Sequence, residues 1–329
     1  MFSIADLVLL YKNYAATQCF TEQPQSLYDP VNYILSIGGK QLRPALVLMA
    51  HNLFDEKVKQ SLPASHAVEI FHNFTLLHDD IMDGSSVRRG KPTVHVKYNT
   101  STAILSGDVM MIQSYRFLAQ ATTNNATFKA IFAVFTKTAI EICEGQQYDI
   151  DFETRSDVTI PNYLQMIELK TAVLLGAALQ IGAIIGGANQ QDAGNIYEFG
   201  RNLGIAFQIQ DDILDTFGDQ ATFGKRIGGD ILNNKKTILL LTAQKLADSE
   251  QKTALQRWLD FTPKSSEDEA QKIEAVTHIF SQLNIRELVE LRRNEFYTIG
   301  LNALNAINVS HEKKYILRDF AENLMARKT

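Results

Sequence analysis

NFTLLHDDIMDG (residues 73–84) and AFQIQDDILDTFG (residues 206–218) end two apolar, helix-compatible runs with the same acidic signature. The first holds Asp79, Asp80 and Asp83, the second Asp211, Asp212 and Asp215, and Gly84 or Gly218 follows. On a helix the first and last acids of a signature share one face, a turn apart. The middle acid lies about 100° round from the first. All three then fall near the helix end that already presents negative charge, an unfavourable placement by roughly 0.3–1 kcal/mol each. The same local rule broken twice in the same way predicts a function. Something cationic must offset the repulsion, and two clusters suggest one site built from both.

A hard divalent cation resolves the conflict. Mg²⁺ takes oxygen ligands, keeps several waters and typically binds one or two carboxylates together with substrate phosphates. An EF-hand is excluded, because neither copy has the alternating ligands or the closing glutamate. No cysteine or HExxH pair accompanies the acids, which disfavours zinc.

Basic residues stand where a diphosphate needs them. Lys40 and Arg43 follow Gly38-Gly39, and Arg88-Arg89-Gly90-Lys91 follows the first acids. Lys170-Thr171 precedes a long apolar stretch, and Lys225 and Lys235-Lys236 follow the second acids. Arginine grips phosphate oxygens bidentately and lysine acts as a point charge. Taken singly, each reads as an ordinary surface charge. No Walker A loop and no GxGxxG with an acidic ribose binder is present, so an ordinary nucleotide fold has no support. Phe71, Phe74, Leu76 and Leu77 flank the first cluster instead. A metal-phosphate mouth above an apolar tunnel suits an allylic or prenyl diphosphate.

The rest of the chain reads as helix. Segments 93–160 and 162–262 contain no proline and repeat apolar residues every three to four positions. Alternating strand patterns are scarce. Thr159-Ile160-Pro161 predicts the start of a helix running toward Gly186. Ser266-Glu267-Asp268-Glu269 fits a capping box. Gly38-Gly39, Gly84, Gly145, Gly218 and Gly228-Gly229 are expected stops or loops. The expectation is one all-α domain over 1–329.

Composition narrows the function. A net charge of −5 without a basic block argues against a nucleic-acid surface. Cys19 and Cys143 are too few for a disulfide framework and fit a reducing, cytoplasmic setting. The N-terminus lacks a basic n-region and reads as an amphipathic helix rather than a signal peptide. The apolar stretch 172–188 carries Gln180 near its middle and several glycines, so a buried core helix is expected, not a transmembrane segment.

Together these motifs resemble the trans-isoprenyl diphosphate synthases, the polyprenyl synthetases, from about Gly38 to Thr237. The resemblance rests on GGKQLRP, LLHDDIMD followed by RRGKPT, GQQYD at Gly145–Asp149, Lys170-Thr171, and FQIQDDILD followed by Lys225 and GDILNNKKT. It implies a helical bundle around a central cavity, the isoprenoid synthase fold, as a homodimer. The two aspartate motifs are expected to face each other and hold three Mg²⁺ ions. Asp79, Asp83 and Asp211 would ligate metal; Asp80, Asp212 and Asp215 would act through water or as further ligands. Arg88, Lys170, Thr171, Gln208, Lys225 and Lys235 would grip an allylic diphosphate. Lys40, Arg43, His72 and Arg89 would hold isopentenyl diphosphate, although His72 reads equally well as a satisfied core histidine.

The implied reaction is ionisation of the allylic diphosphate, attack by the isopentenyl double bond, then proton loss. In the family a bulky residue five before the first aspartate floors the tunnel and keeps the product short. Here that residue is Phe74, with Thr75 beside it and Phe71 eight before the aspartate. The first motif also lacks the two-residue insertion of many bacterial farnesyl enzymes. These features look like a geranylgeranyl diphosphate synthase, with a farnesyl enzyme as the alternative. On a plain helical wheel Thr75 lies nearer the Asp79 face than Phe74, which is about 140° away. A terpene cyclase is disfavoured by the second DDILD and by GGKQLR. A non-catalytic synthase subunit is disfavoured because both aspartate motifs are intact.

Overall fold

A computed structural model describes residues 2–218 and 227–326. The chain divides into two compact units. One comprises Met1–Thr136, Ala177–Tyr197 and Ile307–Ile316, the other Lys137–Gly176, Glu198–Ala306 and Leu317–Thr329.

In the first unit, α1 (Ile4–Ala15) starts on a capping box between Ser3 and Asp6 and buries Leu7 and Tyr11. It is the expected amphipathic helix. Helices α2 (Gln25–Ser36), α3 (Leu42–Phe54) and α4 (Leu62–Met82) follow. Every residue of α3 from Pro44 to Leu53 is buried, so α3 is the spine of this unit. A two-stranded hairpin, β1 (Val87–Arg88) and β2 (Lys91–Pro92), leads to α5 (Val94–Lys97), α6 (Thr100–Ala119) and the start of α7 (Asn125–Thr154). The hairpin is the one sheet among the described residues. Helix α6 lies along α4, and a Cβ at Gly107 would come within 2.2 Å of the His78 ring.

The expected helix from Thr159 is present in three pieces. They are α8 (Ile160–Ile167), a π-helical turn at Glu168–Ala172, and α9 (Val173–Ile185). Thr159 caps it, in a capping box with Asn162. The segment Ile160–Ile185 is long and apolar enough to cross a membrane, but 67% of its most apolar window is buried inside the protein. Its glycines have a packing reason: Cβ atoms at Gly182 and Gly186 would strike the α3 backbone at Val47 and His51.

The second unit holds most of α10 (Gln190–Phe217), then α11 (Gly229–Leu232), α12 (Ile238–Leu246), α13 (Ser249–Asp260), α14 (Ser266–Gln282) and α15 (Ile285–Ala306). Helix α16 (His311–Met325) ends the described chain. The unit's core joins Ile205, Ile209 and Ile213 of α10 to Tyr163, Met166 and Ile167 of α8 and to Ile238–Leu241 of α12. Two expectations are corrected. Gly145 does not stop a helix but lies inside α7. The capping box before α14 pairs Ser265, not Ser266, with Asp268.

His66 of α4 gives the first unit a pH-dependent stability. Burial pushes its imidazole down to about 4. Its Nδ1 lies 3.2 Å from the Tyr11 hydroxyl, and the ring meets Phe117 edge-on at 4.6 Å. With the folded value below the unfolded one of about 6.5, the unfolded chain takes up this proton first as pH falls. The contribution is therefore full above about pH 6.5 and lost as pH drops toward 4, on the order of 3 kcal/mol in all. Urea unfolding of the wild type and His66→Gln should show their stability difference narrowing by about that amount between pH 7 and 4. A pH-independent difference would refute this account.

Candidate active site

In the first unit, α4 carries its acids to the end of the helix, with Asp83 as the C-cap and Gly84 beyond it at φ 63°. Asp80 is buried, and Arg88 forks onto it. The Arg88 Nε donates to both carboxylate oxygens, at 2.9 and 2.8 Å, and Nη2 lies 2.8 Å from Oδ1. The same Nη2 is 3.6 Å from Asp79 Oδ2. Charge-assisted forks of this kind are the strong, directional ion pairs.

The hairpin aims these arginines. Its turn residues Arg89 and Gly90 both have positive φ, 52° and 75°, the mirror-image turn that suits strand twist. Val87 pairs with Pro92 and Arg88 with Lys91. Arg88 is thereby returned to Asp80, and Arg89 is laid against Gly39, where a Cβ would sit 2.6 Å from its Nη1. The first glycine pair thus makes room for a guanidinium. Nothing in the helical reading of the sequence anticipated a hairpin; the Arg-Gly step between short extended residues is its signal.

Arg43, in the first turn of α3, lies 3.0 Å from His72 Nε2 through its Nη1. A guanidinium only donates, so His72 Nε2 accepts and the ring is neutral. Burial, then Arg43, Arg89 and Arg88, hold the imidazole well below its usual range. Arg43 itself is pushed down to about 10, mainly by burial, with Arg89 adding to the effect and Glu69 opposing it. Glu69, not singled out from the sequence, is buried beside them; burial raises its carboxyl, while Arg43, an Asn73 hydrogen bond and Arg89 pull it back. The structure therefore groups Arg43, His72 and Arg89 around one buried glutamate, with Arg88 paired to Asp80 beside them. Lys40 stands exposed before them.

Behind the first acids runs an aromatic series. Phe74 is 4.8 Å from the His78 ring and 5.5 Å from Phe71, which meets Phe135 of α7 at 5.2 Å. Thr75 is half-buried, and its hydroxyl donates to the His72 carbonyl.

In the second unit, Asp211, Asp212 and Asp215 lie in the closing turns of α10. Tyr163 of α8 donates its hydroxyl to Asp212 Oδ2 at 2.6 Å. Burial, followed by the charges of Asp230 and later Asp211, raises the Asp212 carboxyl well above the usual range. Asp215 binds the start of α11. Its Oδ2 accepts from the Asp230 N–H at 2.9 Å and its carbonyl from the Gly228 N–H at 2.7 Å. Asp230 is thus a fourth acid beside this cluster, absent from the sequence-based assignment although it begins GDILNNKKT. Lys235 is exposed, and its N–H bonds the Asp230 carbonyl. Lys225 lies outside the described residues.

Lys170 and Thr171 fall within the π turn. The Lys170 Nζ lies 2.6 Å from Asp149 Oδ2, so the last residue of GQQYD is its partner. Thr171 and Gln208 are half-buried. Two glycines hold the turn: a Cβ at Gly145 would lie 2.2 Å from the Lys170 backbone N, and one at Gly204 2.7 Å from Ala172 Cα. Such bulges often mark functional positions in helices.

The acids are all hard oxygen donors, which suits Mg²⁺. Among the described residues no three His, Cys, Asp or Glu side chains form a closed cage.

Comparison with known proteins gives the chain's relatives. A model of the polyprenyl synthetase family matches residues 24–278. A geranylgeranyl diphosphate synthase of Methanosarcina mazei is 43% identical over 221 residues, 67% of this chain and 68% of that protein. A geranylfarnesyl diphosphate synthase of Natronomonas pharaonis is 33% identical over 99% of this chain and 97% of its own. A solved structure of a geranylgeranyl pyrophosphate synthase superposes with a TM-score of 0.94 at 43% identity, covering 100% of both chains.

Gly145 offers a direct test of the π turn. Gly145→Ala would force its methyl into backbone, which cannot rotate away, so a loss of about 1–3 kcal/mol is expected from urea unfolding. A surface-like effect below about 0.5 kcal/mol would show that α7 does not fix this turn.

Proposed function

This chain belongs to the polyprenyl synthetase family, and from that premise we infer how its side chains divide the work. It is a short-chain trans-prenyltransferase with the all-α isoprenoid synthase fold, condensing isopentenyl diphosphate with allylic diphosphates. Divalent-metal dependence is general in this family. We infer Mg²⁺ as that metal, three ions in all, which Asp79, Asp83 and Asp211 would ligate.

The observation that carries the assignment is the grouping around the hairpin. Two guanidiniums, Arg43 and Arg89, and a neutral histidine share one buried glutamate, beside an acid cluster that Arg88 joins through Asp80. Lys40, Arg43, His72 and Arg89 hold isopentenyl diphosphate. Arg88, Lys170, Thr171, Gln208, Lys225 and Lys235 hold the allylic diphosphate. Bound Mg²⁺ supplies the Lewis acidity that draws charge onto the leaving diphosphate. Lys170, kept in place by Asp149, adds a fixed positive charge where negative charge develops. The allylic C–O bond breaks with its electron pair leaving on diphosphate. The isopentenyl double bond attacks the cation, and the released diphosphate takes the proton. Apolar walls keep water from the cation.

Phe74, packed between Phe71 and His78, floors the product cavity and sets a twenty-carbon, geranylgeranyl product. The names of the relatives support this length and a five-carbon-longer one. The alternative is a farnesyl, fifteen-carbon product. The protein works as a cytoplasmic homodimer. Ile104, Leu105 and Ile112 of α6 and Phe132 of α7 are 42–61% exposed and supply apolar surface for a second copy.

Purified protein with Mg²⁺, isopentenyl diphosphate and each allylic primer should yield geranylgeranyl diphosphate. Phe74→Ala should shift the product to longer chains; an unchanged product length removes Phe74 as the floor, and no condensation with any primer sinks the assignment. Ile112→Glu should give monomers by light scattering, and a dimer at wild-type concentration dependence would move the interface elsewhere.

A further inference from the structure

We propose that Tyr163 is a positioning residue for the second acid cluster, acting through Asp212. The inference rests on the reading of that cluster as metal-binding, and it adds a residue to it.

Tyr163 is buried, at 2% exposure, and α8 places it seven residues before Lys170. A buried tyrosine hydroxyl needs one acceptor, and a neutral carbonyl would serve. This one points instead at a carboxylate, at 2.6 Å, the short distance of a charge-assisted bond. Asp212 has a second tie. The backbone at Ile238, the first residue of α12, whose cap is the Thr237 side chain, favours the charged form of Asp212. A helix N-terminus has unsatisfied N–H groups and favours a negative partner. Asp212 thus connects α10 to α8 and to α12. Asp211 and Asp230 are the other acids whose charges bear on it, so without these ties like charges would push its side chain and the α10 end out of register. The acids on either side of Asp212 in the signature inherit their direction from it. Tyr163 and Lys170 also share one continuous segment. A shift of α8 relative to α10 would therefore move the acid cluster and the lysine together.

The test uses the intact protein and Mn²⁺ as the probe, read by electron paramagnetic resonance with inorganic diphosphate present. Tyr163→Phe keeps the ring and deletes the hydroxyl; Asp212→Asn keeps an oxygen for Tyr163. Removing a partner that orients a metal ligand typically weakens metal binding roughly 10–100-fold. Tyr163→Phe should lose Mn²⁺ affinity in that range while its thermal transition stays close to wild type. In the Asp212→Asn background the same change should cost less than about twofold, because the two act as one unit. Unaltered Mn²⁺ affinity in Tyr163→Phe overturns the proposal, as do additive losses in the double variant. A Tyr163→Phe protein that no longer folds makes the residue structural and overturns it too. Failure of the wild type to take up Mn²⁺ with diphosphate is a separate result, and it removes the metal reading of the cluster itself.

Discussion

Crowded carboxylates at the ends of two helices are the constraint on which the site depends. Helix geometry splits each signature. The middle acid lies about 100° round from the first, so it faces protein when the outer pair faces a ligand. In both units the structure fixes that middle acid to a residue distant in sequence. Asp80 takes the Arg88 fork, eight residues on, and Asp212 takes the Tyr163 hydroxyl, 49 residues back. The solutions differ in charge. Asp80 is neutralised by a cation from a hairpin, whereas Asp212 is held by a neutral hydroxyl and a helix N-terminus. The second cluster therefore has no cation on its middle acid, and burial first, then the charges of Asp230 and Asp211, push the Asp212 carboxyl up. A cluster left in that condition gains more from a divalent cation than one already paired.

Close backbone contact supplies the geometry. The π turn adds a residue to the helix from Thr159, and the extra residue changes which face Lys170 and Thr171 occupy relative to Tyr163. Gly145 and Gly204 let α7 and α10 reach the turn's backbone. A turn held by backbone on two sides has little room to relax into a regular helix. Gly39 plays the same part for Arg89 in the first unit, and Gly107 for His78.

Much of this was legible in the sequence. The helix start at Thr159, the acids in the last turns and the buried glycine-rich helix follow from local patterns. Such patterns set local structure because their partners lie within four residues. What could not be read is long-range. The Asp149–Lys170 pair spans 21 residues and the Arg43–His72 pair 29, and no periodicity encodes which acid meets which base. Gly145 looked like a helix stop because glycine usually is one; here its missing side chain matters more than its flexibility. The hairpin escaped because two-residue strands are too short to alternate.

The state of His72 explains why the first unit can await an anion. With Arg88 paired to Asp80, two guanidiniums and a charged imidazole around one glutamate would still carry a surplus the interior could not hold. Arginine cannot lose its proton in a protein, so the group with an accessible neutral form gives way, and His72 becomes an acceptor for Arg43. The remaining excess sits on guanidiniums, whose fork geometry matches phosphate oxygens. A diphosphate would relieve that excess more fully than Glu69 does, because it offers several charged oxygens to donors already aimed by α3 and the hairpin. It would compete with Asp80 for Arg88 as well. If Arg88 turned from Asp80 to a diphosphate, Asp80 would lose its counter-charge. The same guanidinium lies within reach of both Asp79 and Asp80, so its departure would change the charge balance at both.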